Sequence, residues 1–222
     1  MNLIVGLGNH QQIYAKTRHN IGWMLIDYIA EQFNEEFMEF HSDDPKMLRI
    51  KRAADHYAME YYHIHKRSSI NSMEDDVVTY YFIHNNNIYM KPALGMNSSG
   101  EAVAYVKNLY PEIESILVVC DDTDLPKYTP RLKRVNNPRH NGVKSVMKQL
   151  GVSQIDLLRI GVGTPPKNCR LLDFVLGDFK KDEAQVIHDT VLKTVFEVVE
   201  DYNQTDMDHA IECLNQLVHK PM

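Results

Sequence analysis

The strongest constraint on the fold is that short apolar runs, each stopping at glycine or polar residues, alternate with segments of helical period. Leu3 to Leu7 is such a run, ending in Gly6-Leu7-Gly8-Asn9, the pattern of a buried strand. After a polar loop, Ile21, Met24, Leu25, Tyr28, Ile29 and Phe33 recur at helical spacing, with Asn20 placed as the N-cap. Alternation predicts antiparallel strands near Tyr57 to His65 and from Val77 to His84, and Asn85-Asn86 suits a hairpin turn before Ile88 to Lys91. Ser98 with Glu101 reads as a capping box opening a helix that runs through Tyr110 and stops at Pro111. Ile116 to Cys120 is a second buried strand, with Asp121-Asp122 at its C-terminal end.

Further on, Arg131 to Val135 alternates like a strand, Val143, Val146, Met147 and Leu150 form one helical face closed by Gly151, and Leu157 to Gly163 is a further strand. One last helix runs through Ile187, Val191, Val195, Val198 and Tyr202, the other through Met207, Ala210, Ile211, Leu214 and Leu217. Strands alternating with helices predict an α/β sheet. No repeat or linker divides the chain, so a single domain over residues 1–222 is expected, with an insertion at about 41–86.

Several function classes lack their signatures. With 44% apolar and 24% charged residues the chain is of globular composition. No run approaches the ~18 apolar residues of a membrane span, and the N-terminal run is too short for a signal peptide. The three cysteines are far apart and make neither a disulfide framework nor a zinc ribbon. A cytoplasmic protein is expected. Gly6-Leu7-Gly8 begins like a dinucleotide fingerprint, but Gln11 stands at the third glycine position and no Walker lysine follows. There is no G-x-S-x-G elbow and no H-E-x-x-H helix. His63 and His65 would share a strand face, but without a third ligand they are read as a surface pair.

What remains is a set of polar residues at the ends of the expected strands: Asn9, His19, Asn20, Asn97, Asp121, His140 and Asn141. A histidine titrates near neutrality, and a carboxylate on one ring nitrogen fixes its tautomer and makes the other nitrogen the better base. Asp121 is the best-placed partner for His19. Carboxamides beside them offer donors and an acceptor for a carbonyl or a water. Such a group suits attack of water on an ester without a covalent intermediate. Taken singly, each residue has an ordinary explanation: a surface histidine, a turn-capping Asp121, an N-capping Asn141, an Asn97 that merely leads into a helix.

Charge adds a second clue. The net charge of −6 argues against nucleic acid, yet Lys127, Arg131, Lys133, Arg134, Arg139, Lys144 and Lys148 lie in a stretch free of Asp and Glu, giving +7 there and −13 elsewhere. A basic surface beside a hydrolytic site suits a phosphate-bearing substrate.

Together these motifs resemble the bacterial-type peptidyl-tRNA hydrolase family. Leu3-Ile4-Val5-Gly6-Leu7-Gly8-Asn9, Tyr14 and Thr17-Arg18-His19-Asn20-Ile21-Gly22 are similar to its N-terminal signature. Lys91-Pro92 with Met96-Asn97-Ser98-Ser99-Gly100, Asp121-Asp122 with Leu125-Pro126, and His140-Asn141-Gly142 with Lys144-Ser145 follow in the family's order. Leu158-Arg159-Ile160-Gly161-Val162-Gly163 and Phe174-Val175-Leu176-Gly177 extend the likeness.

The resemblance implies a single α/β domain, a twisted mixed β-sheet surrounded by helices, that hydrolyses the ester joining a peptide to the tRNA 3′ end. It implies no metal, no cofactor and a monomer. His19 matches the catalytic base and Asp121 the carboxylate that bonds it. Asn9, Tyr14, Asn20, Met96, Asn97, His140 and Asn141 fall on substrate-site positions, and Lys133 and Arg159 match the pair that grips the tRNA 5′ phosphate. The chain departs from the family pattern at His10-Gln11, at Leu94-Gly95 and at Asn136-Asn137-Pro138-Arg139. A binding protein on the same fold that grips RNA without turnover is the alternative, and an esterase for another acyl substrate a weaker one.

Overall fold

The computed structural model describes residues 1–43, 45–51, 53–54 and 77–218. The strand expected near Tyr57 to His65, the His63 and His65 pair, and much of the expected insertion lie outside these residues.

One seven-stranded sheet runs in the order β2-β3-β4-β1-β5-β7-β6. Its strands are β1 (Asn2–Gly6), β2 (Met38–His41), β3 (Val77–His84), β4 (Asn87–Pro92), β5 (Ser115–Asp122), β6 (Pro130–Val135) and β7 (Ile155–Gly161). β4, β1, β5 and β7 are mutually parallel; β3 on one flank and β6 on the other run antiparallel to them, and the edge strand β2 pairs antiparallel with β3. The mixed α/β sheet expected from sequence is therefore present.

β1 lies between two parallel neighbours, and Leu3, Ile4 and Val5 are all fully buried, which is why it reads as a continuous apolar run. Alternate residues feed two cores. Ile4, Leu117, Val119, Leu158 and Ile160 pack on one face, and Leu3, Val5, Val118, Cys120 and Leu157 on the other. The first face is covered by α1 (Ile21–Phe33) and by the C-terminal segment from Ile187 onward, which follows α5 (Lys181–Val186) and includes α6 (Lys193–Gln204) and α7 (Met207–Val218). The second is covered by α2 (Ser99–Leu109) and α3 (Asn141–Leu150). A short α4 (Leu171–Val175) precedes α5.

The Asn85-Asn86 hairpin is as expected: both residues have positive φ, 45° and 61°, a conformation asparagine tolerates well. Asn20 and Ser98 stand at the cap positions of α1 and α2 as expected, but neither side chain makes the capping bond. Asn20 instead exchanges hydrogen bonds with Asn9. Glu101 turns to Ser145 and Gln149 of α3. The cap position of α3 is His140, with Asn141 one residue inside the helix. For Asn20 and Glu101, contacts from elsewhere in the chain take the side chain that local pattern assigns to the helix end. The helix expected through Ile187 and Tyr202 contains a π segment, Ile187–Leu192, between α5 and α6. The edge strand β2 is mostly exposed, and its four residues are too short a stretch to read as a strand.

Glycine sets how closely α1 approaches the sheet. A Cβ on Gly22 would lie 2.5 Å from the Leu7 nitrogen and 2.6 Å from the carbonyl oxygens of Leu7 and Val119. A Cβ on Gly6 would lie 2.3 Å from the Gly22 oxygen. In an exposed helix interior Gly→Ala stabilises by ~1 kcal/mol. At Gly22 the opposite is expected, a loss of about 1–3 kcal/mol from overpacking, read as a lower Tm. An unchanged or raised Tm would show that this contact is not limiting.

Candidate active site

The close Gly6–Gly22 contact delivers the start of α1 to the C-terminal ends of β1 and β5. His19 stands on the tight turn Arg18–Asn20 just ahead of α1, and Asp121 near the end of β5. His19 Nδ1 lies 2.7 Å from Asp121 Oδ1. A carboxylate accepts, so Nδ1 carries the proton and Nε2 is the lone pair available to a water.

Asp121 is buried, 5% exposed, which by itself would raise its pKa. The charges of His19 and His140 and their hydrogen bonds outweigh that burial and hold the carboxyl well below the usual carboxylate range. It is therefore ionised across the range in which imidazoles titrate.

Around this pair the turn residues are locked. Asn20 Nδ2 donates to the Asn9 carbonyl at 2.8 Å, and the Asn9 N–H donates to Asn20 Oδ1 at 3.0 Å. Both ends of the buried Asn20 amide are thus spent on holding the Asn9 loop. Asn9 Oδ1 in turn accepts from the Met96 N–H at 2.9 Å, so its Nδ2 is the end left to donate to a ligand. Met96 is buried beneath the turn that carries the exposed Asn97, and a Cβ on Gly142 would come within 2.6 Å of Met96 Sδ. That contact brings exposed Asn141, at the first turn of α3, next to the Met96–Ser98 turn. Gly100 against Ser145 completes the packing: the Gly100 N–H donates to Ser145 Oγ at 3.0 Å. The departures at His10-Gln11 and Gly95 leave these contacts in place.

Two other site candidates are placed differently. Tyr14 is buried with Ile13, Val175 and Leu176 as a support under the loop. His140, read from sequence as a substrate contact, puts its Nε2 3.1 Å from the same Asp121 Oδ1 that His19 holds. Among the described residues His19, Asp121 and His140 are the group compact enough to suggest a cation site. Their contacts are those of N–H donors on a carboxylate oxygen, and we assign them as a hydrogen-bond node rather than as ligands.

Sequence reasoning missed what braces His19 from behind. Arg18 donates from its backbone N–H to the Gly177 carbonyl, from Nη1 to the Phe174 and Gly177 carbonyls, and from Nη2 to Glu183 at 3.2 Å. Its guanidinium also stacks 4.7 Å over the Phe174 ring. Burial would raise the Glu183 pKa, but hydrogen bonds from Lys127 and the Lys180 N–H, with the charges of Lys127 and Arg18, hold it low. The Phe174-Val175-Leu176-Gly177 block was the available signal. Lys91, another motif residue, pairs with Asp27 among the rings of Phe37, Trp23 and Tyr80 and serves the core.

The basic segment is less uniformly available than its charge sum suggests. Lys127 pairs with Glu183, Arg134 with Asp156 and Arg139 with Asp124. Arg131, Lys133, Lys144 and Lys148 have no ion pair among the described residues. Arg131 stands directly across from Arg159 in the β6–β7 ladder, and Lys133, two residues on, shares their face. Arg159 is half-committed, its Nη1 bonding Asp122 at 2.8 Å.

An α/β sheet that presents an imidazole, a buried carboxylate and carboxamides at its strand ends is the framework of a water-activating hydrolase. The sequence model of the peptidyl-tRNA hydrolase family matches residues 3–221. The peptidyl-tRNA hydrolase of Bacillus subtilis is 32% identical over 197 residues, 88% of either chain. That of Staphylococcus aureus (strain Newman) is 34% identical over 218 residues, 97% of this chain and 98% of the relative. A crystal structure of a point mutant of the Acinetobacter baumannii enzyme superposes with a TM-score of 0.69 at 25% identity, covering 97% of this chain and 94% of the other. A peptidyl-tRNA hydrolase crystallised with N-propanol gives 0.70 at 25% identity, covering all of this chain and 97% of the other. The chain belongs to the peptidyl-tRNA hydrolase family.

Proposed function

We propose that this enzyme hydrolyses the ester between peptide and tRNA in peptidyl-tRNA with His19 as general base and Asp121 as the group that orients it. The observation that carries this reading is the 2.7 Å contact between His19 Nδ1 and a buried, ionised Asp121. Nε2 then takes a proton from water as it attacks the ester carbonyl, and the imidazolium that forms is stabilised by the carboxylate. Asn9 Nδ2 is the best-placed amide to donate to the developing oxyanion, since its other end is held by Met96. Asn97 and Asn141, both exposed beside the node, are assigned to the substrate's peptide and terminal nucleotide. No cofactor or metal enters this scheme.

Only neutral imidazole can accept the proton, so the single-turnover rate should rise with pH through the imidazole range. Asp121 contributes no limb there, because it is held ionised far below. A rate that is flat between pH 5 and 8, with chemistry limiting, would contradict the base assignment.

Lys133 and Arg159 are proposed to receive the tRNA 5′ phosphate, with Arg131 on the same face adding to the field. Lys133→Glu is the cleaner test, since Arg159 also bonds Asp122. It should weaken tRNA binding and flatten the log–log salt dependence by about one unit. Unchanged affinity and slope would remove Lys133 from the interface. We further propose a monomer acting in the cytoplasm; no helix of the described residues is long and apolar enough to cross a membrane. Sedimentation of the free protein checks the oligomeric state.

A further inference from the structure

A carboxylate that orients a catalytic histidine needs one oxygen for one N–H. In this site the same oxygen, Asp121 Oδ1, receives two, at 2.7 Å from His19 Nδ1 and 3.1 Å from His140 Nε2, with the two rings 4.9 Å apart. His140 is not there by accident of a loose loop. It holds the cap position of α3, its carbonyl accepts from the Lys144 N–H at 3.1 Å, and the Gly142 turn beside it packs on Met96 and Leu7.

Which nitrogen of His140 donates follows from its surroundings. Its Nδ1 is buried with no hydrogen-bond partner among the described residues. Its Nε2 faces the carboxylate oxygen, which can only accept, so Nε2 carries a proton and is the donor. The other charges nearby are already engaged: Asp122 with Arg159, Asp124 with Arg139, and Arg18 with Glu183. Cys120, next in β5, is buried and its thiol is pushed up by burial, so it stays neutral.

We propose that His140 is a positioning residue of the site, a second donor to the Asp121 oxygen that holds His19, and that the charge it draws from that oxygen sets how readily His19 takes up and releases a proton. Two donors sharing one oxygen each receive less of its charge than one donor would. A catalytic imidazolium is then stabilised enough to form during attack on the ester, yet loses its proton more easily between turnovers. This rests on the proposed role of His19 as base, but its physical content is a coupling between two rings through one carboxylate.

That coupling is readable without turnover. The His19 ring is titrated by NMR in the wild type, in His140→Ala and in His140→Gln, whose side-chain Nε2 can replace the lost donor. Removing a donor worth one ordinary hydrogen bond should move the His19 midpoint up by roughly 0.5–1 pH unit in His140→Ala. His140→Gln should return most of that shift. The acid limb of the single-turnover rate should move with the midpoint. A His19 midpoint that stays put in His140→Ala, or an equal shift in both variants, would overturn the proposal, since a purely structural His140 predicts lost stability without this pattern. A midpoint that moves while the rate profile does not would uphold the coupling and instead defeat the assignment of His19 as base.

Discussion

In single-turnover cleavage of peptidyl-tRNA, His19→Ala is expected to be slower than wild type by roughly 10²- to 10⁴-fold, with tRNA affinity little changed. The size follows from the geometry. His19 is the imidazole whose Nδ1 is held by the buried Asp121, which leaves Nε2 as the base, and its side chain is only 15% exposed, so bulk water does not readily stand in for it. The residual rate is expected to come from substrate positioning and from the proposed oxyanion donor Asn9, which the substitution leaves in place. Because His19 lies on a short turn ahead of α1 and outside the two cores, the variant should keep its fold, visible as an unchanged circular dichroism spectrum. Equal single-turnover rates for wild type and variant would sink the assignment.

Asp121→Asn is the second large effect, also roughly 10²- to 10⁴-fold. The substitution keeps the shape of the side chain but removes the charge that stabilises the His19 imidazolium. It also allows an amide N–H to face Nδ1, which would turn the proton to the wrong nitrogen. A stability signature accompanies it. The Asp121 pKa is lowered in the folded protein, so its ionised form stabilises the fold at pH values above the ordinary carboxylate range. That contribution is lost as pH falls through the lowered folded value. Asp121→Asn should therefore have a lower Tm than wild type at neutral pH, with the gap beginning to close below about pH 4. A rate within a few-fold of wild type would leave His19 without an orienting partner.

Much of this was legible in the chain itself, for a physical reason. β1 and β5 are flanked by parallel neighbours and buried on both faces, so they read as unbroken apolar runs, and the polar residues that end them, Asn9 and Asp121, fall at the site. The pairing of His19 with Asp121 was legible because Asp121 ends a buried strand and His19 stands at the loop-to-helix junction that follows β1. What was not legible depends on contacts between distant parts of the chain. Asn20 and Ser98 have the chemistry of N-caps, but Asn20 is claimed by Asn9 and Ser98 makes no capping bond. Arg18 gives no local sign that it will reach Phe174, Gly177 and Glu183, more than 150 residues on. Nor does the sequence show that His140 will share the carboxylate oxygen that His19 holds.

Charge gave a similar lesson. A stretch of seven cations without an acid suggested a broad basic face, but Lys127, Arg134 and Arg139 are spent on carboxylates brought in by the fold. Of the cations proposed to receive phosphate, Arg131, Lys133 and Arg159 share one face of the β6–β7 pair. Arg159 pairs in register with Cys120, the residue before Asp121, so that surface begins next to the catalytic node.

Water activated by His19 is proposed to cleave the ester of peptidyl-tRNA. The deciding experiment is release of peptide from N-blocked peptidyl-tRNA by wild type and His19→Ala, with aminoacyl-tRNA bearing a free amine as control. Rapid release by wild type, little by the variant, and a largely spared free-amine substrate are expected. Binding of peptidyl-tRNA by the wild type with no release would contradict the proposal and favour an RNA-binding protein on the same fold.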